Sequence, residues 1–272
     1  MLQLNQFYIG EAVNFMKENI PDNFVDLTVT SPPYDNLRTY KGFVFDYQSM
    51  FKELYRITKP GGVVVWVVGD ATINGSETGT SFKQALYAKD IGFNLHDTMI
   101  YEKAGFSNPS NNRYHQVFEY MFIFSKGRPK TFNPLKDRKN KWNSSWGNTS
   151  NRQKNGILIK KEKTTCNEYG MRFNIWRYAN GKGFGQKDEI SYKHPATFPE
   201  QLAQDHILSW SNEGDIVLDP MCGAGTTCKM AWLNKRNFIG IDISEEYIND
   251  ICKPRLKQYG WNENNLNNTI NY

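Results

Sequence analysis

Thr30-Ser31-Pro32-Pro33-Tyr34 sets a hydroxyl, two prolines and an aromatic ring in consecutive positions. Each proline has a fixed φ and no N–H, so neither can continue a strand ladder. The result is a stiff, extended turn whose carbonyls can accept hydrogen bonds. With the Ser31 hydroxyl and the Tyr34 ring beside it, this turn suits a flat ring that carries an amino group on its edge. The same residues would also serve as a strand terminator followed by a packed tyrosine, and so short a motif does not decide alone.

A second group lies toward the other end: Asp219-Pro220-Met221-Cys222-Gly223-Ala224-Gly225-Thr226-Thr227. Its small residues let backbone approach a ligand closely. It is not G-x-G-x-x-G, and no Gly-Lys-Ser/Thr follows, which disfavours a phosphate-cradling loop. Asp242 comes 23 residues after Asp219, near the roughly 20-residue separation at which a carboxylate reaches ribose hydroxyls in nucleotide-binding α/β folds. The pair fits a nucleoside-bearing cofactor with no required pyrophosphate, and S-adenosylmethionine meets that description. A tight strand-to-helix turn with a capping aspartate is the alternative.

A methyl donor at one turn and a flat amine at the other define an N-methyl transfer. A nucleobase amine is a weak nucleophile, because its lone pair is delocalised into the ring. Acceptors at the Ser31 hydroxyl and the Pro32 carbonyl would hold its N–H bonds and draw the nitrogen toward tetrahedral geometry, which is positioning and electrostatics. Tyr34 would stack the base, which must leave the duplex to be reached.

The elements around these turns follow from periodicity. Phe24–Val29 alternates like a strand with one face toward solvent. Tyr47, Met50, Phe51, Leu54 and Tyr55 recur at helical spacing, and Lys59-Pro60-Gly61-Gly62 ends that helix. Val63–Val68 is a continuous apolar run, as in a parallel strand covered on both faces. Further strands are expected at 4–9, 95–101, 117–124, 216–218 and 238–241. Helices are expected near 11–20, 81–91, 199–210, 226–233 and 245–259, the last capped by Ser244. No helix separates 95–101 from 117–124, so those strands should pair antiparallel. Strands alternating with helices predict a doubly wound α/β sheet, with both turns at carboxyl ends of strands, where such sheets bind ligands.

The charge is unevenly spread. Residues 126–193 hold 17 Lys and Arg against 5 Asp and Glu, a charge of +12, while the rest of the chain carries −7. A basic segment in an acidic body suggests a polyanion partner. Phe132, Trp142, Trp146, Tyr169, Phe173, Trp176, Tyr178, Phe184 and Tyr192 are interleaved through it, too many aromatics for a disordered linker. The predicted organisation is therefore 1–125, a small irregular module at 126–193, 194–260, and a frayed tail at 261–272. Cys166, Cys222, Cys228 and Cys252 form no C-x-x-C pair, so neither a disulfide framework nor a metal site is signalled. The longest apolar run is too short to span a bilayer, and no signal pattern opens the chain. A cytoplasmic protein is expected, with no membrane role.

These motifs resemble the β class of amino-methylating DNA methyltransferases. Ser31-Pro32-Pro33-Tyr34 is similar to the family's catalytic [DNS]-P-P-[YFW], and Asp219–Thr227 is similar to its cofactor turn. The resemblance implies a Rossmann-like α/β fold with permuted motif order, plus a basic target-recognition module at 126–193. It implies S-adenosylmethionine as cofactor, held by Glu11, Thr197, Phe198, Asp219, Pro220, Met221, Cys222, Gly223, Gly225, Thr226 and Asp242. His194–Pro199 resembles the methionine-side motif, and Gly10-Glu11 resembles the family's Gly-Asp at the adenine. Double-stranded DNA is the implied partner, with Arg38, Lys41, Arg113, Lys136, Arg138, Lys139, Arg172 and Arg177 as candidate contacts. A cognate restriction endonuclease and a homodimer are further expectations from the family. Serine at the first position resembles the cytosine-N4 subgroup, while aspartate is usual for adenine-N6 enzymes. An adenine-N6 enzyme and an inactive DNA-binding protein on the same scaffold are the alternatives. Cytosine-C5 chemistry is disfavoured, as no Pro-Cys nucleophile is present. Arg113, His115 and His206 stand apart from the motifs. His206 lies on the apolar side of its helix and is expected to be structural.

Overall fold

The computed structural model describes residues 2–33, 45–105, 111–141, 150–160, 166–179 and 183–263. The chain opens with β1 (Gln6–Ile9), α1 (Ala12–Asn19), β2 (Val25–Thr30), α2 (Tyr47–Ile57) and β3 (Thr58–Val68). A hairpin of β4 (Thr72–Ile73) and β5 (Ser76–Glu77) precedes α3 (Thr80–Asp90), β6 (Asn94–Lys103) and β7 (Phe118–Ser125). Four short strands follow: β8 (Arg138–Lys139), β9 (Ser150–Arg152), β10 (Leu158–Lys160) and β11 (Tyr169–Gly170). Then come β12 (Ile175–Tyr178), α4 (Glu200–Trp210), β13 (Ile216–Asp219), α5 (Thr226–Leu233) and β14 (Asn237–Asp242). A π-helical turn at Tyr247–Cys252 runs into α6 (Lys253–Lys257).

Eight strands form one sheet in the order β1-β14-β13-β2-β3-β7-β6-β12. The first five are parallel, and β7 is antiparallel to both β3 and β6. β12 runs parallel to β6. Every strand of this sheet but β7 therefore ends at one edge, and that edge carries Ile9, Asp242, Asp219 and Thr30. The expected doubly wound sheet and the antiparallel 95–101/117–124 pair are both present.

Alternation along β3 explains the two covered faces. Val64, Trp66 and Val68 join Met16, Met50, Phe51 and Leu54 in a core beneath α1 and α2. The intervening Val63, Val65 and Val67 point the other way and are equally buried. On that second face His206 of α4 sits over β7, with Nε2 3.2 Å from Met121 Sδ, and its ring lies 4.6 Å from Trp176.

Several expectations are corrected. β2 is not half exposed: it lies between β13 and β3, and of its six residues only Asp26 escapes full burial. The polar Thr28 of that alternation is inside the protein. β3 begins at Thr58, because Lys59-Pro60-Gly61-Gly62 passes through an irregular pairing with β2 rather than a free turn. The last helix is interrupted. Pro254, which lacks an N–H, follows the π-turn, and a widened turn absorbs the bond a proline cannot make. The tail is not frayed from 261: Trp261 is buried, donates from Nε1 to Asn5 O at 2.8 Å and meets the Phe7 ring edge-on.

The chain divides into two compact units, residues 134–173 and the remainder. The smaller unit is shorter at both ends than the basic stretch 126–193, because Ile175–Tyr178 is an edge strand of the main sheet. Within this unit β8 pairs with β11 and β9 with β10. Among the described residues no helix is long and apolar enough to cross a membrane.

Candidate active site

The site is built where the strands stop. β2 delivers Ser31 and Pro33, both half-buried, and a buried Pro32 directly after Thr30. Beside it β13 ends at Asp219, and the chain turns through Pro220–Gly225 into α5. Two glycines shape this turn. Gly223 has φ +48°, and a Cβ there would stand 2.8 Å from His194 Nε2. Gly225 has φ +71° and serves as the N-cap of α5, a backbone region that side chains other than glycine enter at a cost. Cys222 N donates to Ile241 O at 2.9 Å, which ties the turn to β14.

Asp219 is the most deeply placed carboxylate of the site. Its Oδ1 accepts from the Thr30 hydroxyl at 2.8 Å and from Met221 N at 3.3 Å. Burial pushes its pKa up to about 7, although the Thr30 hydroxyl and the Met221 N–H pull the other way. Asp242 stands at the end of β14. Its carboxylate accepts from Gly223 N and Ser244 N, both at 2.8 Å. Burial raises its pKa too, against those N–H bonds. Two exposed apolar side chains flank it: Ile243, 60% exposed, and Ile9, 48% exposed and in register with Asp242 across the β1–β14 pair.

Glu11 lies at the same edge, after β1. Its two carboxylate oxygens accept from Val13 N at 3.0 Å and Asn14 N at 2.8 Å, so it caps α1. His194 packs edge-on against Tyr247 with centroids 4.5 Å apart. Thr197 and Phe198 are half-buried, and the Phe198 carbonyl accepts from Gln186 Nε2 at 2.6 Å. Thr226 opens α5, where its hydroxyl accepts from Arg255 Nη1 at 3.0 Å. Burial pushes the thiols of Cys222, Cys228 and Cys252 up, so each stays neutral and none is a nucleophile at neutral pH. Cys252 Sγ instead donates to Gly223 O at 3.1 Å.

Beneath the turn lies a charged cluster that sequence reading missed. Lys229 Nζ reaches Asp188 Oδ2 at 2.6 Å, Glu200 Oε1 at 2.7 Å and the Tyr259 hydroxyl at 3.0 Å. Arg255 donates to Asp188 Oδ2 at 2.9 Å, to Glu200 Oε1 at 2.7 Å and to the carbonyl of Ala224 at 2.7 Å, and also bonds Gln186. Burial alone would lift Asp188, but its bonds to Lys229 and Arg255 win and hold it below the ordinary carboxylate range. The segment leading to α4 is thereby fixed to the floor of the turn. A lysine in the middle of the otherwise apolar helix Thr226–Leu233 was the available signal.

The expected DNA contacts divide. Arg113 is exposed and braces the β4–β5 hairpin, donating to Gly75 O at 2.6 Å and Thr72 Oγ1 at 3.3 Å. Arg177 is exposed on β12 and lies 3.7 Å from Glu102. In the small unit Lys136 and Lys139 are exposed. Arg138 and Arg172 turn inward. Arg138 bonds Met171 O at 2.9 Å and lies over the Phe173 ring, and Arg172 is paired with Asp137. Tyr34, Arg38 and Lys41 lie outside the described residues.

Known proteins place this arrangement. A family described as DNA methylase, the N6/N4 methyltransferases, matches residues 25–253. The orphan methyltransferase M.BamHII of Bacillus amyloliquefaciens is 60% identical over 247 residues, 90% of this chain and 93% of its own. The type II methyltransferase M.BglII of Bacillus subtilis is 26% identical, across 97% of this chain and 72% of the relative. Among solved structures the cytosine-N4-specific PvuII DNA methyltransferase superposes with a TM-score of 0.65 at 20% identity, covering 93% of this chain and 90% of that one. M1.HpyAVI, solved as its S-adenosylmethionine complex, gives 0.59 at 22% identity, covering 92% and 99%. The sheet, the Ser-Pro-Pro turn and the glycine turn beside it thus belong to a member of the N6/N4 DNA methylase family, a DNA methyltransferase.

Proposed function

We propose that this DNA methyltransferase takes a methyl group from S-adenosylmethionine and places it on the N4 amine of a cytosine turned out of a DNA duplex. The observation that carries the reading is the adjacency of two strand ends. Ser31 follows a residue whose hydroxyl is bonded to Asp219 at 2.8 Å, so the acceptor turn and the cofactor turn share one edge of the sheet.

The residues fit the cofactor. Asp242 offers a half-buried carboxylate at a strand end, suited to ribose hydroxyls. Ile9 and Ile243 offer apolar surface beside it, suited to an adenine face. The turn at Gly223 and Gly225 brings bare backbone close, and Thr197 and Phe198 would border the methionine end. When bound, the cofactor supplies an electrophilic methyl group on a sulfonium. The chain's own contribution is to hold the amine. The Ser31 hydroxyl and the Pro32 carbonyl accept its two N–H bonds, localise the lone pair and fix its direction. Pro32 and Pro33 keep that turn rigid, and Tyr34 stacks the base. Release of the amine proton needs no strong base, since the amine becomes acidic as the new bond forms.

Serine at position 31 is the residue that favours cytosine. The family covers N4 and N6 chemistry, so adenine is the second reading. Recognition of the target sequence is assigned to the basic unit 134–173, whose exposed Lys136 and Lys139 would meet phosphates. The type II names of relatives such as M.BglII speak for a role beside an endonuclease, and the orphan name of M.BamHII for methylation without one. Incubation of the protein with labelled S-adenosylmethionine and mixed DNA, then mass spectrometry of digested nucleosides, tests the proposal. N4-methylcytosine is expected. N6-methyladenine would overturn the choice of base, and retained DNA binding without label transfer would overturn the enzyme.

A further inference from the structure

The two turns are not joined by backbone. The β2–β13 ladder registers only Val217 with Leu27 and Leu218 with Thr28. On its other side β2 stays paired with β3 as far as Thr30 opposite Trp66. β2 and β13 thus diverge just before their functional turns, and each then enters a proline, Pro32 or Pro220, that has no N–H to give.

Two hydroxyls span the opening. Thr30 Oγ1 donates to Asp219 Oδ1 at 2.8 Å, and Thr227 Oγ1, at the start of α5, donates to Val29 O at 2.9 Å. Thr30, Thr227 and Asp219 are all buried. Asp219 Oδ1 also takes the Met221 N–H, so a single oxygen touches the residue before Ser31 and the middle of the cofactor turn. A buried hydroxyl does not find such a partner by default. Thr28, two residues earlier on β2, is equally buried, and among the described residues its Oγ1 has no hydrogen-bond partner.

We propose that Thr30 and Thr227 are positioning residues whose hydroxyls replace the missing ladder and set the distance from the amine-holding turn to the methyl-donating turn. The proposal rests on the assignment of those two turns to amine and cofactor. Neither threonine touches a reacting atom. Each fixes where the reacting atoms meet, and displacement of about 1 Å in such a geometry costs on the order of 10²-fold in rate. The Met221 bond to Asp219 and the Asp242 bonds to the glycine turn remain when either hydroxyl is removed, so the loss is expected in kcat rather than in cofactor affinity.

The test compares Thr30→Val, Thr227→Val and Thr30→Ser with Thr28→Val, which removes a hydroxyl from the same strand without removing a bond. For each, kcat at saturating DNA and cofactor, the Kd for S-adenosylmethionine and the melting temperature are measured. Thr30→Val and Thr227→Val should lower kcat about 10- to 100-fold, with cofactor Kd within about twofold of the Thr28→Val control. Thr30→Ser, which keeps the donor, should recover most of the loss. If Thr30→Val is unstable, Thr227→Val and Thr30→Ser carry the comparison from the opposite side. A kcat equal to that of Thr28→Val, or a loss that resides in the cofactor Kd, overturns the proposal. Ser31→Ala is measured alongside: full turnover there would overturn the assignment of the turns themselves, whereas an inactive Ser31→Ala with an unimpaired Thr30→Val would overturn the positioning alone.

Discussion

The paired turns and the unit at 134–173 are built by opposite means. Around the turns, β3 runs 11 residues, and charge-bearing groups such as Asp219, Lys229 and Arg255 are buried and multiply bonded. The small unit has strands of two or three residues, and every residue of β9 and β10 is exposed. It carries a net +7 in sequence. Under the proposed function the contrast follows from two tasks. A methyl transfer needs fixed distances, and low-dielectric surroundings make each buried hydrogen bond an expensive one to move. A polyanion is met through exposed cations whose individual geometry matters less.

The largest effects are expected around the turns. Ser31→Ala should lower kcat about 10²–10³-fold, as removal of one electrostatic contact does elsewhere, with DNA affinity within about twofold. Equal losses of both would show that Ser31 holds the turn rather than the amine. Lys229→Met should destabilise the protein by about 3–5 kcal/mol in urea unfolding, because two buried carboxylates lose a partner. A cost under about 1 kcal/mol would mean that Arg255 alone satisfies them.

Asp219→Asn probes the pH dependence of the same region. The folded pKa near 7 exceeds the unfolded value of about 3.9. The folded state therefore keeps a proton that the unfolded chain releases, and stability from this group is fully present below about pH 4 and lost as pH rises through 7. Cofactor-free wild type should lose melting temperature between pH 5 and pH 8 more steeply than Asp219→Asn. The difference between the two curves isolates this group from Asp242, which shifts the same way. Parallel curves would place Asp219 in the ordinary carboxylate range.

The small unit is expected to show the smallest effects. Lys136→Ala and Lys139→Ala should each reduce the slope of log K against log salt by about one and leave kcat at saturating DNA unchanged. A change in kcat would mean that the basic unit contributes to positioning as well as to binding.

Much of the fold was legible because it is written in local patterns. The run Val63–Val68 announced a strand covered on both faces, and the spacing from Tyr47 to Tyr55 announced α2. The two turns were legible as motifs. The errors share one physical cause, which is partners distant in sequence. The strand Phe24–Val29 reads as half exposed until its place between β13 and β3, one of them nearly two hundred residues away, is known. Arg255 and Lys229 draw no reading from the sequence, since Asp188 and Glu200 lie 29 to 67 residues from them. β12 shows only a four-residue exposed-buried alternation, too brief to stand out from the basic, aromatic stretch around it.

The pairing of β1 with β14 has a kinetic consequence. Gln6–Ile9 finds its register against Ile239–Asp242, so the strand made among the first must wait for one made more than two hundred residues later. Contacts of such separation slow folding, and domains fold as they emerge during synthesis. On a ribosome, β2 and β3 can pair while the chain is still short. β1 has no sheet to join until residues 237–242 have emerged. The sequence of the unit 134–173 is complete well before then.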